Sequence, residues 1–230
     1  MKVIYRISDG GYAKEKPDYI DNEKCLFNAS LRFGASNIHV IADGCGPRTM
    51  KMIRKQFPKS SITKVQVGHG AGTFNIALDM ALDQFKGEDY IYFLENDYLH
   101  KGQAREVLQE GIDLGASFVA LYDHPDKYLD PSKGGNPYCE GGAEDTRVYL
   151  TKTCHWKVTN STTMTFAARV DVLRETEPIL RKWTTATYPE DFKMFLDLRE
   201  NGHLLISSIP GFSTHGETAW LSPLTDWSEQ

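Results

Sequence analysis

The stretch Phe93-Leu-Glu-Asn-Asp-Tyr-Leu-His100 carries the apolar run Tyr90–Leu94 into Glu95, Asn96 and Asp97. Two carboxylates at i and i+2 of an extended segment point the same way. Hard divalent cations such as Mg²⁺ or Mn²⁺ bind carboxylate oxygens, and they draw only one or two from protein while phosphates fill other positions. One acid of such a pair can hold a metal while the other takes a ribose hydroxyl; a solvated turn after a strand is the plainer alternative. Asp43 closes a second run, "IHVIADG". Its carboxylate can accept hydrogen bonds from a base or ribose, or can serve only a helix cap or an Asp-Gly turn. In "VGHGAGTFN", Val67 to Asn75, the glycines permit close backbone approach and the following helix start suits an anion. Gly68-His-Gly-Ala-Gly-Thr73 lacks the last glycine of a dinucleotide fingerprint and follows the third strand rather than the first. The acid expected at the next strand's end falls instead at Glu88, before that strand, so the pattern speaks against a dehydrogenase.

These residues need elements to position them. The first half alternates: strands over Lys2–Ser8, Asn37–Ala42, Ile62–Val67, Tyr90–Leu94 and Ser117–Leu121, with helices over Asn22–Phe33, Thr49–Phe57, Thr73–Phe85 and Gly102–Leu114 between them. That alternation predicts βαβ units and an α/β fold with a mostly parallel sheet covered on both faces. In such sheets ligands bind beyond the carboxyl ends of the strands. Four successive strands deliver Ser8 and Asp9, Asp43, Gly68 to Gly70, and Glu95 to Asp97 to that edge. From His124 to Asp145 the chain is rich in Gly, Pro and Asp, a length expected of a functional lid or a disordered loop. Strands over Arg147–Leu150, Thr162–Ala168 and His203–Ser207 and helices over Asp171–Trp183 and Glu190–Glu200 follow, then an irregular tail. One domain over residues 1–230 is expected, with a nucleotide-binding half over 1–121 and an acceptor-side α+β half over 122–230.

A chain of 230 residues with 40% hydrophobic and 25% charged content has the make-up of an ordinary globular domain. A net charge of -5 gives no support for nucleic-acid or anionic-membrane binding. The longest apolar stretch, Ala116–Tyr122, is too short to span a bilayer, and MKVIYRISDGG turns polar too early for a signal peptide. Cys25, Cys45, Cys139 and Cys154 form no C-x-x-C pair, so reduced thiols and a cytoplasmic location are expected, and the glycosylation patterns at Asn28 and Asn160 count as chance. Oligomeric state is not readable.

In order along the chain, Asp43, "GAGTFNIAL", "YIYFLENDYL", "TTMTFAAR" and "YPEDFKMFLDL" resemble the nucleotide-sugar glycosyltransferases of the GT-A fold, and among them the inverting family 2. The resemblance spans roughly residues 1 to 200 and lies in the order of short motifs. It implies a metal-dependent enzyme that moves a sugar from a nucleoside diphosphate sugar, with UDP the expected nucleotide, to a glycan or other acceptor hydroxyl with inversion. Asp43 would contact base or ribose, with Ser8, Asp9, Gly70, Asn75 and Asn96 near the nucleotide. Glu95 would stand near the ribose and Asp97 would hold Mn²⁺ or Mg²⁺. Asp191, with Glu190 before it, would be the catalytic base; Glu144 and Asp145 are the alternatives, and an acid-rich helix first turn is the plain reading of Pro-Glu-Asp. The acidic triplet begins with Glu where the family usually has Asp, and Phe74 stands where a basic residue is common.

His215 in the tail would complete the metal site, as a C-terminal His does in some GT-A enzymes. His69 and His100 are expected to cap turns. Trp156 and Tyr138 are candidates for stacking on an acceptor sugar, with packing the alternative. Arg169 could meet a phosphate or a carboxylate. Gly10-Gly11 followed by Lys14 and Lys16 faintly matches the basic glycine-rich loop of a sugar-phosphate nucleotidyltransferase, the nearest enzyme alternative. A non-catalytic nucleotide- or glycan-binding module is the other.

Overall fold

The computed structural model describes residues 1–11 and 14–230. Its strands are β1 (Lys2–Ser8), β2 (Ile38–Asp43), β3 (Ile62–Val65), β4 (Tyr90–Glu95), β5 (Tyr98–His100), β6 (Phe118–Ala120), β7 (Val148–Leu150), β8 (His155–Thr159), β9 (Phe166–Arg169), β10 (Leu205–Ile209) and β11 (Ser213–His215). Its helices are α1 (Asn22–Phe33), α2 (Pro47–Gln56), α3 (Gly70–Gln84), α4 (Ala104–Asp113), α5 (Val170–Lys182) and α6 (Asp191–Glu200).

Among the described residues, nine strands form one sheet in the order β3-β2-β1-β4-β9-β6-β10-β8-β7. β3, β2, β1 and β4 are mutually parallel, as is the pair β6 and β10. β9 runs against both β4 and β6, and β8 runs against β10 and β7. The expected α/β class with a mostly parallel sheet is therefore present. The two sequence halves are interleaved, because β9 of the second half lies between β4 and β6 of the first.

Strand alternation explains the two cores. In β1, Val3, Tyr5 and Ile7 face one side, with Leu26, Ala29 and Phe33 of α1, Ile53 of α2 and Val107 and Leu108 of α4. Ile4, Ile41, Ile91 and Phe93 face the other, with Phe74 and Leu78 of α3, Leu173 of α5 and Phe195 of α6. Strands buried on both faces read as continuous apolar runs, which is how "YIYFL" reads. Among the described residues, no helix is long and apolar enough to cross a membrane.

The long segment after β6 differs from a lid. It folds into short turns at Pro125–Tyr128, Pro131–Lys133 and Glu140–Gly142. Lys127, fully buried, pairs with Glu144 at 3.0 Å, and Lys157 of β8 pairs with Asp123 at 2.9 Å. Buried charges are tolerated only when paired in this way, and the pairing fixes the loop. The tail is also less irregular than expected: β11 pairs antiparallel with β5, placing His215 opposite Tyr98.

Candidate functional site

Because β1 to β4 are parallel, their carboxyl ends share one edge, and a cleft of about 520 Å³ opens there. It is lined by Ser8 and Asp9, Asp43, Gly68 to Gly70, and Glu95 to Asp97, the four predicted strand ends. Gly10, Gly11, Lys14, Lys16, Thr187 and Tyr188 complete much of the wall.

The side chains at this edge have distinct tasks. Both oxygens of the buried Asp43 carboxylate accept from the backbone of the glycine turn: Oδ1 from Val67 N at 2.7 Å, Oδ2 from Gly68 N at 2.8 Å. Asp43 therefore fixes the turn's shape while lining the cleft. Asp9 accepts from Gly46 N at 2.7 Å, at the start of α2, where a carboxylate meets unsatisfied amides. Asn96 donates to Asn22, which donates to Ser8 O at 3.1 Å, tying the ends of β4 and β1 to α1. Glu95 lies 3.4 Å from the guanidinium of buried Arg6 and accepts from Thr163 at 3.2 Å. Arg6 also donates to Met164 O at 2.7 Å, which pins β1 to the turn before β9.

Asp97 and His215 meet although 118 residues separate them in the chain. The β5–β11 pairing brings them together, with His215 Nε2 3.4 Å from Asp97 Oδ2. Gly216 makes this possible, since a Cβ there would stand 2.6 Å from Asp97 O. Burial raises the Asp97 carboxyl, but His215, Lys16 and Lys14 outweigh it and hold the group far below the usual carboxylate range. Lys16 Nζ lies 3.0 Å from Asp97 Oδ2 and Lys14 Nζ 3.0 Å from His215 Nε2. The two expected metal ligands are thus adjacent, but each already faces an ammonium. Among the described residues, no group of three or more His, Cys, Asp or Glu is placed to hold a metal ion. As arranged, the donor set does not fit a resident divalent cation, because Nε2 has one lone pair and Lys14 is on it.

Asp191 is the first residue of α6, three beyond Tyr188 of the cleft wall. Burial pushes its carboxyl up to about 7, Glu95 adds to the rise, and the Phe192 amide, His215 and Lys14 oppose it. That is the pKa of a base that works near neutrality. Glu190 takes another direction: it is exposed and pairs with Lys193 one turn along. Glu144, an alternative base, is spent on Lys127 and Lys157. Tyr138 is 63% exposed, with its ring 6.2 Å from that of Phe192, beside Asp191.

Two predicted contacts are corrected. Trp156 is fully buried on β8, where alternation turns it inward beneath α4; its Nε1 donates to Thr151 at 3.0 Å, and it cannot stack on an acceptor. Asn75 lies away from the cleft, with its amide donating to Thr184 O at 3.0 Å and its oxygen accepting from the Thr184 hydroxyl at 3.1 Å. Of the secondary candidates, His69 caps α3, accepting from Gly72 N at 3.1 Å, as expected. His100 does not cap a turn: it is buried on β5 with Nε2 2.9 Å from Tyr92 OH, and burial lowers it to about 3. Arg169 pairs with Asp171 at the surface.

The sequence reading missed Arg6 and Thr163, and it assigned Lys14 and Lys16 only to a triphosphate loop. A lone Arg inside the apolar run "VIYRIS" was the available signal, since a buried guanidinium requires an acid. Thr163 gave none.

No protein-family model matches the sequence, and no curated protein matches it. Among solved structures, the crystal structure of S. aureus TarS 1-349 aligns with 90% of this chain and 57% of its own, at 14% identity and a TM-score of 0.49. The chain spans little more than half of that structure, and the likeness is too distant to bear on activity.

Proposed function

We infer that the protein transfers a sugar from a nucleoside diphosphate sugar to an acceptor hydroxyl, with UDP the first nucleotide to try. The observation that carries this reading is Asp191: a carboxyl held near neutrality beside a polar cleft built from four parallel strand ends. The nucleotide would lie along Ser8, Asp43 and Gly68 to Gly70, with its diphosphate toward Asp97 and the basic residues. Asp191 would take the proton of the acceptor hydroxyl as its oxygen bonds to the anomeric carbon. The bond from that carbon to the diphosphate oxygen breaks, and the electron pair leaves with the nucleoside diphosphate. A single base on the side opposite the leaving group would give inversion, and Tyr138, which is exposed, would meet the acceptor.

A second reading keeps some support. Gly10, Gly11, Lys14 and Lys16 all line the cleft, as the triphosphate loop of a nucleotidyltransferase would. Incubation with a panel of nucleotide sugars separates the two. Release of nucleoside diphosphate on adding sugar acceptors supports glycosyl transfer. Pyrophosphate release from a nucleoside triphosphate and a sugar phosphate, without the former, overturns it.

A further inference from the structure

We propose that Lys14 and Lys16 take the place of a divalent cation in neutralising the donor's diphosphate, so that donor binding needs no metal. The inference rests on the glycosyl-transfer reading and concerns how the same cleft holds its ligand. Both lysines line the cleft, and they come from the segment between β1 and α1 rather than from the strand ends themselves. Two ammonium groups carry the same charge as one Mg²⁺ or Mn²⁺. They are held where an ion would sit, Lys16 Nζ 3.0 Å from Asp97 Oδ2 and Lys14 Nζ 3.0 Å from His215 Nε2. Lys14 also lies 3.8 Å from Glu217.

The chemistry of these contacts favours the lysines over an ion. An imidazole nitrogen has one lone pair in the plane of the ring, so Nε2 serves Lys14 or a metal but not both. A divalent ion at Asp97 would also meet two like charges a few ångströms away in a half-buried site, where screening is weak. With the lysines in place, Asp97 and His215 act as positioning residues. They hold two otherwise flexible side chains in position before the ligand arrives, which lowers the ordering cost of binding. An ammonium has three N–H donors, and Asp97 takes one from Lys16, leaving that side chain able to reach a phosphate oxygen at the same time. Gly10 and Gly11 line the same wall and let a diphosphate approach the backbone closely. Arg6 is not part of this device, because its charge is matched by Glu95 at 3.4 Å behind the cleft wall.

Calorimetric titration of UDP, GDP, ADP, CDP and dTDP into the unaltered protein tests this, once in excess EDTA and once with Mn²⁺. At least one nucleoside diphosphate is expected to bind in EDTA, with an affinity that Mn²⁺ leaves unchanged. Lys14→Met and Lys16→Met are each expected to weaken that binding about tenfold or more, the usual worth of a hydrogen bond to a charged group. Lys16→Arg, which keeps the charge, is expected to retain most of it. Binding that appears only with Mn²⁺ or Mg²⁺ overturns the inference and leaves glycosyl transfer standing. So does wild-type affinity in the two methionine variants. The EDTA comparison uses the native chain, so it decides the matter even if a variant misfolds. If none of the five binds in either condition, both the inference and the donor-binding reading fall.

Discussion

Two clusters in this molecule each set two lysines against an aspartate. One comprises Asp97, His215, Lys14 and Lys16 at the strand ends. The other comprises Asp123, Lys127, Glu144 and Lys157 beneath the loop after β6. They differ in what lies around them. In the second cluster each charge is answered from within the protein. Lys157 contacts Asp123 at 2.9 Å and Glu144 at 3.6 Å, its ammonium sits 4.6 Å from the centre of the Tyr128 ring, and Tyr128 OH donates to both Asp123 oxygens. In the first, Lys16 remains 34% exposed, and Lys14, Lys16 and Asp97 line an open cleft. Sealed charge fixes a loop; charge at the edge of a cleft is available to a ligand.

The largest effect should come from breaking the sealed cluster. Lys157→Met leaves the fully buried Asp123 without its cation. Removing one partner of a buried pair costs about 3–5 kcal/mol, and urea unfolding at pH 7 should show a loss of that size. Burial lowers the Lys157 pKa, but Asp123 and Tyr128 outweigh it, and the net shift is upward. A raised lysine pKa stabilises the fold fully below its unfolded value and loses that contribution only as pH climbs through the folded value, so the whole effect is present at pH 7. A loss under about 1 kcal/mol would put this cluster in the class of exposed pairs and remove the contrast.

A second test compares carboxyls instead of clusters. Asp97, among cations, is held far down, while Asp191, part-buried with Glu95 nearby, is pushed up to about 7. The first is charged at any working pH, whereas the second can carry a proton. Turnover should therefore rise with pH through about 7 and then level off as Asp191 ionises. Glu95, His215 and Lys14 are the titratable groups whose fields act on it. Asp191→Asn keeps an oxygen for the Phe192 amide and should lower turnover about a hundredfold or more while sparing nucleotide binding. Between about pH 4 and 7 the folded chain holds a proton that the unfolded chain has lost, so Asp191 costs stability increasingly as pH rises through that window. The Asn variant should unfold at higher temperature than the native chain at pH 8. Unchanged turnover in it would move the base elsewhere.

The sequence made one side of this comparison legible and hid the other. The strand ends were readable because parallel strands buried on both faces leave long apolar runs, and the residue where each run stops must lie at the edge. Ser8, Asp43 and Glu95 to Asp97 follow from that rule. Elements three residues long, such as β5 and β11, carry no period of their own; only their mutual pairing makes them strands, so the meeting of His215 with Asp97 had to be supplied by the resemblance. Trp156 was misread because a Trp between His155 and Lys157 looks like surface, whereas of these three residues of β8 only His155 is exposed. The sealed cluster was invisible for a related reason: Asp123, Lys127, Glu144 and Lys157 span 35 positions with no spacing that marks them as partners. A glycine-rich loop with lysines looks solvated until its contacts are known.

The smallest expected effect is the most discriminating. Lys16→Met removes an ammonium from Asp97, as Lys157→Met removes one from Asp123, with the same loss of charge and nearly the same side-chain volume. If pairing alone set the cost, the two variants would be equally destabilised. The structure argues otherwise. Lys16 is part-exposed, water can reach the vacated position, and Lys14 still acts on Asp97. Pairs of that kind are worth less than about 1 kcal/mol, so the urea midpoint of Lys16→Met should lie close to that of the native chain, even though its nucleotide affinity has dropped. A stability loss as large as that of Lys157→Met would mean that the cleft lysines are structural, and the division between sealed and available charge would fail at the residue on which it most depends.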